Sequence, residues 1–510
     1  MVLWRRLTQA LFLILFLFLF RKTDYGGTDE ISYAVNIFFR WDPLVAASAM
    51  LAAKVFIALL LPALAVVVTT LVLGRFFCGW VCPLGTCLDM THTLLPPRSE
   101  GREKKWSRLK YYLLFVILVT ALFGVPLVGY FDPFSILVRG LAISVDPAFN
   151  IAVSYPFDFI YKHGPGWMSA FSEPVFSFLK DTILPFNKGV FNLVLPTLAI
   201  LASVFALEKI ERRFWCRNIC PLGAMLALLS RPSLLRMQPG RACKAKGCAD
   251  CVDVCRMRAI NDDGTVSPES CNLCMDCVEV CDKGLIGFGF KRPRHDPAPM
   301  DMGRRGMVGS LAAGLFAPAF LKVRAISKKP DPLLIRPPGA IEEGEFLARC
   351  VRCGECMKVC VSNALQPTGL QAGIEGVFSP VLVPRIGYCE YNCTLCGQVC
   401  PTGAIERLPK KEKQEVKMGR AFFDRDRCLP WAKGVPCLVC EEICPVPEKA
   451  IKMVEEKTLN HLGEQVSIQR PYLNDALCTG CGACENKCPV PGRAAVRITS
   501  EGESRDPNYF

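Results

Sequence analysis

Six times along this chain four cysteines fall within a short stretch, and that repetition limits the fold more than any other feature. The first two runs are Cys243, Cys248, Cys251 and Cys255, then Cys271, Cys274, Cys277 and Cys281. Four later runs are Cys350, Cys353, Cys356 and Cys360; Cys389, Cys393, Cys396 and Cys400; Cys428, Cys437, Cys440 and Cys444; and Cys478, Cys481, Cys484 and Cys488. A [4Fe–4S] cube needs four thiolates converging on its corners; three closely spaced cysteines wrap one cube, and the fourth reaches its neighbour. Spacing therefore assigns Cys243, Cys248, Cys251 and Cys281 to one cluster and Cys255, Cys271, Cys274 and Cys277 to another. Among the last four runs the exchange of fourth cysteines stays open. Zinc also accepts four thiolates, but zinc ribbons separate their Cys-x-x-Cys knuckles by longer spacers. A disulfide framework would not repeat this spacing. The expectation is six [4Fe–4S] clusters on 24 of the 29 cysteines.

The remaining five cysteines lie in the first 220 residues, where long uncharged runs crowd together. A spanning helix takes about 20 mostly apolar residues, which predicts spans at Val2–Phe20, Val55–Leu73, Tyr111–Val128 and Gly189–Leu207. The first resembles a secretory signal but is followed by "RKTDYGG", with no A-x-A-like cleavage site, so a retained helix is expected. Basic residues at 98–110 and 208–217 place those loops inside and the loops 21–54 and 129–188 outside, with Arg21 and Lys22 opposing mildly. The net charge of +13 is thus a topology signal, and no nucleic-acid partner is expected. Lys54, at the outer end of the second span, can face a quinone or snorkel to the headgroups.

This half is also an internal repeat. "FRWDPL" (39–44) and "GYFDPF" (129–134) each precede a span, and "RFFCGWVCPLG" (75–85) is matched by "RFWCRNICPLG" (213–223). Cys78, Cys82, Cys216 and Cys220 are therefore equivalent pairs at one membrane face, and four thiolates there can hold a further metal centre. The alternative is that each Cys-Pro-Leu-Gly ends a helix and its thiols simply pack. Cys87 has no counterpart, since Met225 stands at its position. The four histidines, His92, His163, His295 and His461, lie outside the apolar runs, so no haem b is expected, and no Cys-x-x-Cys-His for haem c occurs.

Between the ferredoxin-like blocks, "GRRGMVGSLAAGLFAPAFLKV" (303–323) resembles a twin-arginine export signal. If it crosses, residues from about 325 onward face outside; as a buried or surface helix it would leave every cluster in the cytoplasm. The predicted class is multi-domain: a polytopic α-helical membrane domain with α+β bacterial ferredoxin-like 2[4Fe–4S] domains. Its parts are a four-helix membrane domain (1–235), a 2[4Fe–4S] domain (236–295), the apolar segment (300–325) as a fifth membrane helix, and a 4[4Fe–4S] domain (330–510).

On these motifs, residues 1–295 resemble the membrane ferredoxin-type family NapH of periplasmic nitrate reductase systems, and residues 300–510 resemble its exported partner family NapG. The membrane half is also similar to the NosR and CcoG families, without an obvious outer flavin domain. The internal signal and the enlarged second outer loop depart from the NapH–NapG pattern. The resemblance implies a natural fusion acting as a haem-free quinol dehydrogenase in a bacterial cytoplasmic membrane, with lipid around it. Its cytoplasmic clusters lie at 243–281, its C-terminal domain lies in the periplasm, and its acceptor is a periplasmic reductase or c-type cytochrome. Two other functions fit the residues: a quinone-independent conduit from a cytoplasmic donor, and a metal-handling or reductase-maturation protein using the membrane thiols.

Overall fold

The computed structural model of the chain describes residues 2–94, 96, 106–185, 189–239, 250–261, 265–281, 284–290, 303–322, 331–459 and 465–505. Cys243, Cys248, His295, His461 and most of the basic segment 98–110 lie outside the described residues. The chain divides into two units: Met1–Arg21, Val35–Gly140 and Leu195–Phe320 form one, and Lys22–Ala34, Leu141–Val194 and Leu321–Phe510 form the other.

The first unit is mainly helical, with boundaries that differ from those predicted. Val2–Lys22 is one helix of 21 residues. The predicted span Val55–Leu73 is regular only over Ala63–Leu73, after a 3-10 turn at Ala58–Leu60. A separate helix, Pro43–Ala53, precedes it and stops at Lys54, whose φ of 55° is left-handed. Tyr111–Val128 is replaced by Leu109–Leu122, ended by Gly124 at φ 77° and Pro126, and Gly189–Leu207 by Val194–Ala206, entered from Leu193 at φ 60°. The predicted outer loop 129–188 is largely helical, with Pro133–Gly140, Asp146–His163 and Gly166–Thr182. Among the described residues two helices are long and apolar enough to cross a membrane, Val2–Lys22 and Pro133–His163, and the second falls within that expected loop.

The two copies of the repeat meet in this unit. Asp42 caps Pro43–Ala53, its Oδ1 accepting from the amides of Leu44 (2.7 Å) and Val45 (3.1 Å). Asp132 does the same for Pro133–Gly140, Oδ2 accepting from Ser135 N at 2.7 Å. An N-terminal capping carboxylate followed by proline is a favoured helix start. Both aspartates are fully buried, and the two carboxylates are close electrostatic neighbours.

Each Cys-Pro-Leu-Gly both ends one helix and begins the next: Phe76–Trp80 and Trp215–Ile219 close just before Cys82 and Cys220. Pro83–Leu94 follows Cys82, and Pro221–Leu229 follows Cys220, whose Sγ accepts from Gly223 N at 3.3 Å. Proline suits the first helical position, where its missing N–H would have no partner anyway. Each such helix packs on the capped helix of the other repeat: Pro83–Leu94 against Pro133–Gly140, and Pro221–Leu229 against Pro43–Ala53.

Arg304–Leu321 is a helix of 18 residues lying along Leu109–Leu122. A Cβ at Gly306 would meet Tyr112 Oη at 2.4 Å and one at Gly314 would meet Val119 Cβ at 2.8 Å, so the two helices run parallel and in close contact. Small residues at four-residue spacing permit that approach. Its other side exposes Val308, Phe316 and Phe320.

Two strands, Leu235–Pro239 and Ile286–Phe290, pair antiparallel around the first ferredoxin-like block. A buried ion network joins this block to the repeat. Asp89 accepts from Arg213 (2.6 and 2.9 Å) and Arg256 (2.7 Å), while Asp276 accepts from Arg256 Nε (2.7 Å) and Arg5 (3.2 Å).

The second unit is built from short pieces. Among the described residues its strands pair in twos: Leu365–Pro367 with Pro380–Leu382, Arg420–Phe423 with Val496–Thr499, and Ile451–Leu459 with Gln465–Leu473. Segments 22–34 and 141–194 belong to it through polar contacts. Asp29 accepts from Thr394 N (2.7 Å) and Oγ1 (2.9 Å), and Ile31 N donates to Gln398 Oε1 (3.0 Å). Val190 O accepts from Asn363 Nδ2 (2.7 Å) and Gln366 Nε2 (3.0 Å).

Asp89→Asn leaves Arg213 and Arg256 without their shared counter-charge, a loss of about 3–5 kcal/mol for a buried pair. Limited proteolysis of the purified protein is expected to cut within 250–290 faster in this variant, with Asp89→Glu intermediate. Equal cutting rates would show that the network does not hold the block.

Candidate metal centres

Thiols in the second unit converge in fours around apolar cavities. One cavity of about 20 Å³ is walled by Cys350, Cys353 and Cys356 together with Cys400. Another of about 30 Å³ is walled by Cys389, Cys393 and Cys396 together with Cys360. A third, also about 30 Å³, takes Cys428, Cys437 and Cys440 together with Cys488. Cys478, Cys481 and Cys484 have Cys444 beside them. Fourth cysteines are thus exchanged within two pairs of runs, which spacing alone left open.

Backbone geometry explains how such short loops wrap a cavity. In three runs both residues flanking the second cysteine are left-handed: Leu273 (56°) and Met275 (64°), Arg352 (56°) and Gly354 (84°), Gly480 (70°) and Gly482 (85°). A non-glycine residue there costs about 1–2 kcal/mol, and such strain collects at functional sites. Each then enters a one-turn helix carrying the third cysteine: Asp276–Glu279, Glu355–Lys358 and Ala483–Lys487. The sequence shows this signal only at the glycines.

Fourth cysteines share a feature. Sγ of Cys255, Cys281, Cys400, Cys444 and Cys488 accepts from the backbone amide of Ala259 (3.2 Å), Leu285, Ile405, Ala450 and Ala495 (3.4 Å each). Amide donors stabilise thiolate charge and help to set cluster potential. Burial pushes the Cys481 thiol up to about 11 and that of Cys440 to about 12, so these thiols keep their protons unless a cationic centre displaces them. Four soft sulfur donors around an apolar cavity fit an iron–sulfur cube. Among the described residues no three His, Cys, Asp or Glu side chains gather as ligands of a single ion.

In the first unit Cys255 lies beside Cys271, Cys274 and Cys277, the set expected from spacing. Cys251 and Cys281 pack on the same small core. The repeat cysteines also come together: Cys82 neighbours Cys78 and Cys216, and Cys220 neighbours all three. Cys87 is half-buried and is not among these neighbours.

Two arginines that the motif reading passed over tie the pairs together. Arg75 and Arg213 occupy equivalent positions and are buried, and each reaches the opposite motif. A Cβ at Gly223 would meet Arg75 Nη2 at 3.0 Å, and one at Gly85 would meet Arg213 Nη1 at 2.9 Å. Their signal was present, since both motifs open with Arg-Phe. Arg75 Nη2 also lies 4.0 Å from Cys78 Sγ, and its Nη1 donates to Glu269 O at 3.1 Å. Trp80 Nε1 donates to Leu273 O at 3.0 Å, and a Cβ at Gly79 would strike Asn272 O at 2.0 Å. The first motif therefore seats the loop carrying Cys271 and Cys274.

Comparison with known proteins supports iron–sulfur binding. The family described as "4Fe-4S binding domain" matches residues 55–100 and 190–241, the two stretches that carry the repeated cysteine pairs. The methylamine utilization ferredoxin-type protein MauM of Methylorubrum extorquens is 34% identical over 164 residues, covering 30% of this chain and 72% of that protein. The ferredoxin-type protein NapG of Escherichia coli is 36% identical over 125 residues, 24% of this chain; the match spans only about half of NapG, 53%. The ferredoxin-type protein NapH of Haemophilus influenzae is 25% identical over 311 residues, covering 56% of this chain and 89% of that protein. No solved structure matches. With MauM covered over most of its length and NapH alongside it, the chain belongs to the ferredoxin-type iron–sulfur electron-transfer proteins, as a fusion of NapH-like and NapG-like parts.

Proposed function

We propose that this chain is a membrane-bound, haem-free quinol dehydrogenase subunit that passes electrons to a periplasmic reductase or c-type cytochrome. One observation carries the reading. Segment 22–34, in the loop 21–54 that basic residues predict to lie outside, and Val190, just past the predicted outer loop 129–188, are bonded to the C-terminal block, whereas the Cys-Pro-Leu-Gly ends seat the block at 250–290. Loops of opposite sidedness thus each hold a different ferredoxin-like block.

Lipid contact is supported by exposed apolar surface. Val2–Lys22 exposes Leu3, Trp4, Leu11 and Ile14, and Asp146–His163 with Gly166–Thr182 exposes Tyr161, Trp167 and Phe171. Aromatic residues of this kind favour membrane interfaces. Arg304–Leu321 runs parallel to Leu109–Leu122, whose basic flank marks the inside, so it carries the chain outward.

Six [4Fe–4S] clusters are assigned: Cys243, Cys248, Cys251 and Cys281; Cys255, Cys271, Cys274 and Cys277; and the four sets of the second unit. Such clusters take one electron at a time, which divides the two-electron oxidation of a quinol. The protein's part is to place them, to satisfy the fourth sulfurs with amides and to keep water from the cavities. Cys78, Cys82, Cys216 and Cys220, beside the Cys271 loop, serve as a thiol or metal relay.

Three outcomes are expected. Protease added to intact spheroplasts cuts the block 350–488 and spares 243–281; protection of the former, with cutting in inverted vesicles, would overturn the topology. A reduced menaquinone analogue bleaches the clusters of the isolated chain with no haem band present. Reduction by a cytoplasmic ferredoxin alone would favour the conduit instead. Cys78→Ser and Cys216→Ser each abolish electron flow from quinol to the first-unit clusters while iron content is kept. Wild-type transfer in both variants would make these thiols packing residues.

A further inference from the structure

One cavity holds no cysteine set. It measures about 30 Å³, is bounded by Cys360, and shares Val359, Cys360 and Val361 with the cavity walled by Cys389, Cys393 and Cys396. An occupant would be one residue layer from that thiol set.

The walls are mixed in a telling way. Tyr25, Ala142, Pro147 and Phe191 give apolar faces, while Lys358 Nζ stands 3.6 Å from Asp24 Oδ2 and 3.7 Å from Asp146 Oδ2. Apolar walls with a few convergent polar groups are the usual make-up of a small-molecule site. Its wall segments adjoin apolar helices or lie within one: Asp24 and Tyr25 follow Val2–Lys22, Phe191 precedes Val194–Ala206, and Ala142 and Asp146 lie within Pro133–His163.

We infer that this cavity receives the quinol head group, with Lys358 donating a hydrogen bond to a quinol oxygen and Asp24 and Asp146 accepting the two protons. The inference rests on the quinol reading above. In the reaction both quinol O–H bonds break and the protons pass to the two carboxylates. Two electrons leave singly to two oxidised [4Fe–4S] clusters, the first being that of the Cys360 set, and the quinone departs. Burial raises the proton affinity of Asp24, with Lys358 opposing, which suits an acceptor.

The test uses the full chain, anaerobically purified, with menadiol as reductant and a photoreactive azido-naphthoquinone as binding probe. Asp146→Asn is expected to slow cluster reduction by menadiol about a hundredfold, with reduction by dithionite and iron content unchanged. Ala142→Leu fills the cavity without removing a charge and is expected to weaken menadione binding about tenfold. The photolabel should map to peptides containing Ala142–Pro147 or Lys358–Val361. If menadiol reduces the wild type and both variants equally, or the label maps elsewhere, the site is wrong while the quinol reading stands. If menadiol fails on the wild type although dithionite succeeds, the quinol reading falls and the site with it.

Discussion

Convergence of buried cysteine thiols is the constraint on which the second unit depends. Among the described residues its strands pair in twos, and its cluster-bearing helices are single turns of four or five residues. A lone two-stranded ribbon is marginal in water. The buried core that joins these pieces includes the sulfurs of Cys356, Cys444, Cys478 and Cys484 beside Phe346, Leu395 and Ile498. With the cysteines supplying so much of the core, cluster binding and folding are one process there. Arg352 is held left-handed there, as Leu273 and Met275 are in the first unit, a strain that only an over-determined site retains.

A second constraint is reciprocity in the duplicated half. Asp42 and Asp132 meet at the starts of two buried helices, and Arg75 and Arg213 each cross to the other copy's Leu-Gly turn. Arg213 pairs with Asp89 of the other copy, while Arg75 donates to Glu269 O in the ferredoxin-like block. A buried cation or carboxylate without its partner costs several kcal/mol, so the copies fold as one body. The cysteine pairs are brought together by that exchange, whatever further role they have.

Much of this was legible in the sequence. Cysteine spacing placed Cys255 with Cys271, Cys274 and Cys277, because ligand geometry is local and short-range. The repeat was visible as paired motifs. Helix limits were not: Val55–Leu73 and Tyr111–Val128 read as continuous apolar runs, yet Pro62, Gly124 and Pro126 interrupt or end them. The loop 129–188 hid its helices for a related reason, since Pro156 and Pro174 sit inside them. Exchange of Cys360 and Cys400, and the gathering of Asp24 and Asp146 at Lys358, are long-range contacts with no local signature.

The thiol sets are assigned to iron–sulfur cubes and not to zinc. Metal and acid-labile sulfide analysis of anaerobically purified full-length protein tests that assignment most directly. Six cubes give about 24 iron and about 24 sulfide per chain, with a brown colour that bleaches on reduction. Tightly bound zinc, with little iron and no sulfide, would contradict it.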